Sequence, residues 1–140
     1  QKVIFASAHP NLLNRNFKAK KPNEKWLTDI TEFRILAGKI YLSPLVDCYD
    51  GAIVSWTIGT NQLASLYAKK GYSPDNSACE GFFGRLKNEM FYQRDWKNTT
   101  INQFINKLDD YIHWYNNQRI KLSLGGLSPL QYRKKQRYIC

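Results

Sequence analysis

Two carboxylates and a lysine are the residues of this chain best placed to do chemistry. Asp29 stands inside the strand-like run Lys25-Trp26-Leu27-Thr28-Asp29-Ile30-Thr31-Glu32-Phe33. A carboxylate beside Trp26, Ile30 and Phe33 is costly unless it faces water, is paired or holds a metal ion. Glu80 and Lys87 lie seven residues apart in a stretch that reads as a helix. Seven helical residues rotate by nearly two full turns, so both side chains point the same way, about 10 Å apart along the axis. Oxygen ligands suit a hard cation, so one of these groups can face a metal ion while the other grips a phosphate. Each feature also has a plain alternative. Asp29 can be an edge-strand carboxylate facing water, and Glu80 and Lys87 can belong to a solvated helix face shared with Arg85 and Glu89.

The elements that must position these groups can be read from the pattern. Residues 1–24 form an irregular basic lead-in, punctuated by Pro10, Asn11, Asn14, Asn16 and Pro22 and charged by Lys18, Lys20 and Lys21. Three strand-like runs follow, at about 25–34, 39–47 and 53–59. Ala37-Gly38 and Asp50-Gly51 supply the turns between them, which predicts a three-stranded antiparallel meander. Ser43-Pro44 inside the second run argues for a bulge or an edge. With a turn centred at Ala37, residue 29 pairs near residue 44 or 45, so Asp47 lies beyond the paired position.

After a weakly patterned link at 61–72, Asp75 or Asn76 caps a helix running to about Tyr92. Thr99 or Thr100 caps the next. There Ile101, Phe104, Ile105, Leu108, Tyr111, Ile112 and Tyr115 recur at helical spacing and form a core stripe. Gly125-Gly126 interrupts the pattern, and Ser128-Pro129 starts a short basic helix through Gln136.

Composition bounds what the chain can be. At 140 residues with 43% apolar content, one packed domain is expected. Lys and Arg number 21 against 11 acidic residues, a formal charge of +10. That excess makes a polyanion the default partner, and small RNA-binding proteins share the imbalance. Cys48, Cys79 and Cys140 are odd in number and widely spaced, and His9 and His113 have no Cys or His at ligand spacing, which argues against a zinc site. Neither a secretory signal nor a membrane span is evident, so a reducing cytoplasm is the expected compartment. The opening Gln1, with no Met, suggests a fragment.

Several segments together resemble a known family. The Lys25–Phe33 run with Lys39-Ile40-Tyr41-Leu42-Ser43 is similar to the first two strands of the integrase-type catalytic core of bacterial insertion-sequence transposases, relatives of the retroviral integrases. Asp75-Asn76-Ser77-Ala78-Cys79-Glu80-Gly81-Phe82-Phe83-Gly84-Arg85-Leu86-Lys87-Asn88-Glu89 resembles that family's glutamate helix. Tyr111-Ile112-His113-Trp114-Tyr115-Asn116-Asn117-Gln118-Arg119 and Ser123-Leu124-Gly125-Gly126-Leu127-Ser128-Pro129 resemble its C-terminal signature, and Asn11–Phe17 resembles the linker before the core. The resemblance implies a ribonuclease H-like α/β fold over residues 25–136, with 1–24 as linker and 137–140 as tail. It implies Mg²⁺ (or Mn²⁺) held by an Asp-Asp-Glu set, and breaking and joining of phosphodiester bonds. By position Asp29 is the first carboxylate and Glu80 the third. Lys87 matches a basic residue that contacts DNA, and Lys69, Lys70, Arg85 and Arg119 join it as expected DNA contacts. The expected partner is DNA, at transposon ends and target, in a bacterial cytoplasm near the nucleoid.

The chain departs from the family in one place. Members carry a helix, a fourth strand ending in the second Asp, another helix and a fifth strand before the glutamate helix. Here only 61–72 fills that interval, without Asp or His. The reading is a truncated fold of three strands and about three helices, impaired in catalysis, with a DNA-binding remnant as the alternative. Neither Asp47 nor Asp75, taken as a helix cap, replaces the missing ligand. Two structural expectations follow. The strand-one edge should be exposed and open to pairing between copies, and the glutamate helix, short of its usual support, should not bring Glu80 to Asp29.

Overall fold

The computed structural model describes residues 18–61 and 76–138, together with the backbone of 3–5. Five strands form one sheet: β1 (Val3–Phe5), β2 (Trp26–Thr28), β3 (Thr31–Ile35), β4 (Gly38–Asp47) and β5 (Ile53–Gly59). Among the described residues three α-helices follow: α1 (Ser77–Leu86), which runs on into a π-helical turn at Lys87–Phe91, α2 (Ile101–Asn117) and α3 (Pro129–Lys135).

β2 and β3 are two halves of one strand. Trp26 lies opposite Asp47 and Thr28 opposite Leu45, and the same antiparallel register resumes with Thr31 opposite Leu42 and Ile35 opposite Gly38. The ladder is broken at Asp29-Ile30, where Asp29 falls opposite Pro44. Cys48 N–H bonds Lys25 C=O. Bonding positions alternate along an antiparallel pair, so Leu27 and Asp29 also turn their polar backbone toward β4. Proline has no N–H to give Asp29, and the strand opens there. β5 pairs with the other edge of β4, with a register shift between Leu45 and Val46. The meander is therefore as the turns imply, and Pro44 sits in the central strand beside a bulge.

One expectation is overturned. β1 pairs in parallel with β2, Val3 opposite Trp26 and Phe5 opposite Thr28. The lead-in therefore contains a strand, and it covers part of the strand-one edge that was expected to stand open.

The core forms between one sheet face and the helices. Leu27, Phe33, Ile40, Leu42, Val46 and Ile53 are buried against Phe82 and Leu86 of α1 and Phe104, Leu108, Ile112 and Tyr115 of α2. The α2 stripe is thus the core face its spacing implies. Thr100 caps α2 with a full capping box, its hydroxyl accepting from Gln103 N–H while Gln103 reaches back. Ser128 does the same for α3, with Pro129 at its first position. The buried Asn116 amide bonds both Ile53 N–H (2.8 Å) and Ile53 C=O (2.9 Å), tying α2 to the start of β5.

A buried ion cluster fixes the far end of the sheet. Arg133 of α3 donates to Asp50 Oδ2 (2.8 Å) and Oδ1 (3.0 Å) and to Asp47 Oδ2 (3.1 Å). Both carboxylate side chains are 0% exposed. Asp47 also accepts from Asn23 N–H (2.8 Å) and Tyr49 N–H (2.9 Å). Burial pushes the Asp47 carboxyl up from its ordinary value, against the backbone N–H bonds from Asn23 and Tyr49 and the Arg133 charge. In the turn between β4 and β5, Gly51 has φ +78°, and a Cβ there would meet Lys121 Nζ at 2.5 Å.

Removing Arg133 strands two buried carboxylates. Arg133→Ala is expected to cost about 3–5 kcal/mol, a large share of the stability of a domain this size, read as a lower urea midpoint. Arg133→Met with Asp47→Asn and Asp50→Asn should recover part of that loss, because no buried charge is left unpaired.

Candidate functional site

Asp29 owes its position to the strand break. Its Oδ1 accepts from the N–H of Ile30 at 2.8 Å, and its Oδ2 accepts from Asn76 Nδ2 at 3.1 Å. Asn76 is 2% exposed and is the N-cap of α1, its Oδ1 accepting from Cys79 N–H at 3.4 Å. One amide thus serves both the strand carboxylate and the helix start. The cap is Asn76 and not its neighbour Asp75, which lies outside the described residues.

From that anchor α1 runs along the strand. Eleven helical residues from Asn76 to Lys87 rise about 16 Å, while four strand residues from Asp29 to Phe33 advance about 13 Å. The Lys87 ammonium accordingly sits over the Phe33 ring, 5.4 Å from its centroid. Burial pulls the Lys87 pKa down, with Glu32 of β3 pulling it back up. Glu80 stands exposed in the first turn of α1, four residues after the cap. Cys79 between them is buried, and its thiol pKa is pushed up by burial first and then by the Asp29 carboxylate, with a smaller effect of Glu80. The two carboxylates therefore share the N-terminal end of α1.

The helix keeps firm support. Phe82 meets Tyr115 edge-on at 4.9 Å, and Arg85 Nε donates to the Tyr115 hydroxyl at 3.0 Å. That support comes from α2.

The expected DNA contacts distribute differently. Arg85 (5.8 Å), Arg119 (5.6 Å) and Lys121 (5.3 Å) crowd the ring of the fully buried Tyr115. Arg119 further binds both Glu89 oxygens, and Glu89 also accepts from the Tyr111 hydroxyl at 2.7 Å. The Arg119 hydrogen bond holds the Glu89 carboxyl below its usual range. Three of the five expected contacts are thus committed to partners within the fold, and Lys69 and Lys70 lie outside the described residues. Sequence reasoning missed Asn76 as the carboxylate's partner, Lys121 as a third cation and Glu89 as their counterion. The exposed cations among the described residues include Lys134, Lys135 and Arg137 at the end of α3. A cleft of about 360 Å³ beside α2 is lined by Glu89, Arg94, Lys107, Asp110, Tyr111 and Trp114 among others. Its two acids balance its two cations, so it does not favour a polyanion.

The donor set can be weighed against metal chemistry. Among the described residues no three of His, Cys, Asp and Glu gather where they could hold a metal ion. Two Mg²⁺ ions demand more oxygen ligands than Asp29 and Glu80 offer. The described residues do not by themselves make a two-metal centre. No helix among the described residues is long and apolar enough to cross a membrane.

Comparison with known proteins bears on the family. Two models described as "Integrase core domain" match residues 19–69 and 80–136. The chain is 45% identical to a probable transposase for insertion sequence element IS1353 of Shigella flexneri, covering 90% of this chain and 33% of that protein. It is 30% identical to the putative transposase InsK of IS150 from Escherichia coli K12, covering 90% and 60%. An uncharacterized transposase-like protein of Haemophilus influenzae is 34% identical, over 88% of this chain and 76% of that protein. No solved structure gives a significant match. The chain spans a third and three-fifths of the first two relatives. The first two alignments each run over 171 positions, to which 90% of this 140-residue chain brings about 126 residues. About 45 positions in each therefore hold residues of the relative that have no counterpart here.

Asn76→Ala is expected to cost about 1 kcal/mol as a lost cap, and more because the Asp29 carboxylate loses its donor. Asn76→Asp keeps a cap but sets two carboxylates face to face, so its urea midpoint should recover on adding Asp29→Asn. Glu89 gives a pH test. Its folded pKa is depressed below 4.5, so its contribution is complete above that pH and fades as pH falls through the folded value. Urea midpoints measured from about pH 6 down to about pH 3 should show a smaller acid loss in Glu89→Gln than in the parent chain.

Proposed function

Because this chain belongs to the integrase-core family of insertion-sequence transposases, we propose that it is a strand-transfer core that keeps a DNA-binding surface and has lost its full catalytic set. The observation that carries this reading is the pairing of a two-carboxylate donor set with about 45 missing residues. The two family matches break between 69 and 80, immediately before the cap of α1. That break supports placing the loss between β5 and α1, where relatives would carry the middle carboxylate. Asp29 and Glu80 then remain as the first and third ligands of a set that Mg²⁺ or Mn²⁺ would bridge in the intact family site. Held by a complete set, such ions would supply Lewis-acid chemistry toward a phosphodiester.

The formal charge of +10 supports DNA as the surviving partner, and with it a cytoplasmic, nucleoid-associated location. Because Arg85, Lys87 and Arg119 serve packing as well as charge, the α3 cations Lys134, Lys135 and Arg137 are the better candidates for phosphate contact.

Binding and chemistry separate cleanly in assay. Duplex DNA should bind with an affinity that falls linearly with log salt, and Lys134→Glu with Lys135→Glu should flatten that slope by about 2. Supercoiled plasmid with Mg²⁺ or Mn²⁺ should stay intact. Nicking that disappears in Asp29→Asn would overturn the reading, and an Asp75→Asn arm would reveal whether Asp75 has taken the middle role. Inserting the unmatched segment of the IS1353 relative between 69 and 76 should restore metal-dependent nicking.

A further inference from the structure

The outer edge of β2 carries a feature that strand transfer does not use. We propose that this edge is a docking site for one extended segment in parallel register, filled in cis by Val3–Phe5 and open to exchange with the same segment of a second copy of the chain.

Backbone geometry defines the site. Lys25 turns its C=O toward Cys48 of the β4 side, and facing directions alternate, so Trp26 and Thr28 point their polar backbone groups outward. The register pairs Ile4 with Leu27. In a parallel pair this sets Ile4 N–H against Trp26 C=O and Ile4 C=O against Thr28 N–H. Leu27 between them is fully buried in the core, so the edge belongs to a core strand. An unpaired edge on such a strand is a template for another chain.

Two further observations point to exchange. β1 is three residues long, and on its β2 side the edge runs on into β3, which has no partner there among the described residues. The plug is therefore shorter than the socket. Parallel pairing requires a long connection, and 20 residues, 6–25, separate β1 from β2; loop-closure cost grows slowly with such a length, and exchange of an identical element is a low-cost route to dimers.

The proposal stands apart from catalysis and is tested without DNA or metal. Thr28 amide exchange and sedimentation are measured on the full chain, on Ile4→Pro, and on a chain lacking residues 1–5. Ile4→Pro removes the one N–H that bonds Trp26 and should speed Thr28 exchange at least tenfold; the parent's sedimentation coefficient should rise with concentration and the variant's should not, because every copy of the variant carries the defective segment. A synthetic peptide of residues 1–8 added in trans should slow Thr28 exchange in the variant again, and the same peptide carrying Ile4→Pro should not. If the shortened chain does not fold alone, refolding on addition of the peptide counts for the proposal. A folded Ile4→Pro chain whose Thr28 amide exchanges as slowly as the parent's, or which ignores the peptide, overturns it.

Discussion

The contact on which the rest of this structure depends is the buried guanidinium of Arg133 between Asp47 and Asp50. It joins residues 83 and 86 positions apart. Asp47 ends β4, Asp50 forms the turn into β5, and Asn23 of the segment entering β2 bonds the same Asp47. One cation therefore ties the last helix, the β4–β5 hairpin and the approach to β2. A buried ion set of this kind adds little net stability over apolar packing, but it is specific, because every lone pair must find its donor. Asp47 N–H bonds Ala52 C=O and Gly51 N–H bonds Asp47 C=O. The turn is held by its own backbone as well as by the charge. Fixing Asp47 opposite Trp26 fixes the register of the whole β2–β4 pair, and so brings Asp29 opposite Pro44.

That register converts a local defect into a position for a carboxylate. A central strand rarely tolerates proline. Here the missing N–H falls opposite Asp29, the ladder opens, and the Asp29 side chain takes a bond from Ile30 N–H in the gap. The remaining oxygen reaches Asn76, which starts α1. A strand break, a helix cap and a carboxylate are thereby one unit. Thr28 reinforces it with a hydroxyl bond to Pro44 C=O at 2.8 Å.

Much of this was legible in the chain. The α2 stripe follows from spacing alone, and the Thr100 and Ser128-Pro129 caps act locally, within three residues, which is why they can be read. The β2–β4 register also followed from turn position, and it correctly put Asp47 past the pairing of Asp29. What could not be read is long-range or cooperative. Nothing in the local sequence announces that Arg133 will meet Asp47, or that Glu89 will neutralise Arg119 across 30 residues. Asn76 reads as a cap from its place before a helix, but its second bond to Asp29 depends on how α1 lies on the sheet. Val3–Phe5 was overlooked because three apolar residues ahead of a proline- and asparagine-rich stretch carry too little pattern to mark a strand. Its partner, the β2 edge, exists only once the sheet is assembled.

The same distinction explains how a fold can outlast its chemistry. The core joins β2–β5 to α1 and α2. Tyr115 stacks against Phe82 and accepts from Arg85, so α1 is held by α2 without help from further strands. Packing of this kind is distributed over many contacts, and loss of one segment removes only its share. A metal-bridged carboxylate set is not distributed. Each ligand supplies charge at one point, and removing one leaves a donor set of the wrong number whatever the rest of the protein does. On the reading proposed above, a deletion between β5 and α1 would leave the packing of the sheet and helices largely in place while taking one ligand from the site. Scaffold and chemistry respond to the same loss on different scales, because burial adds up over area and coordination does not.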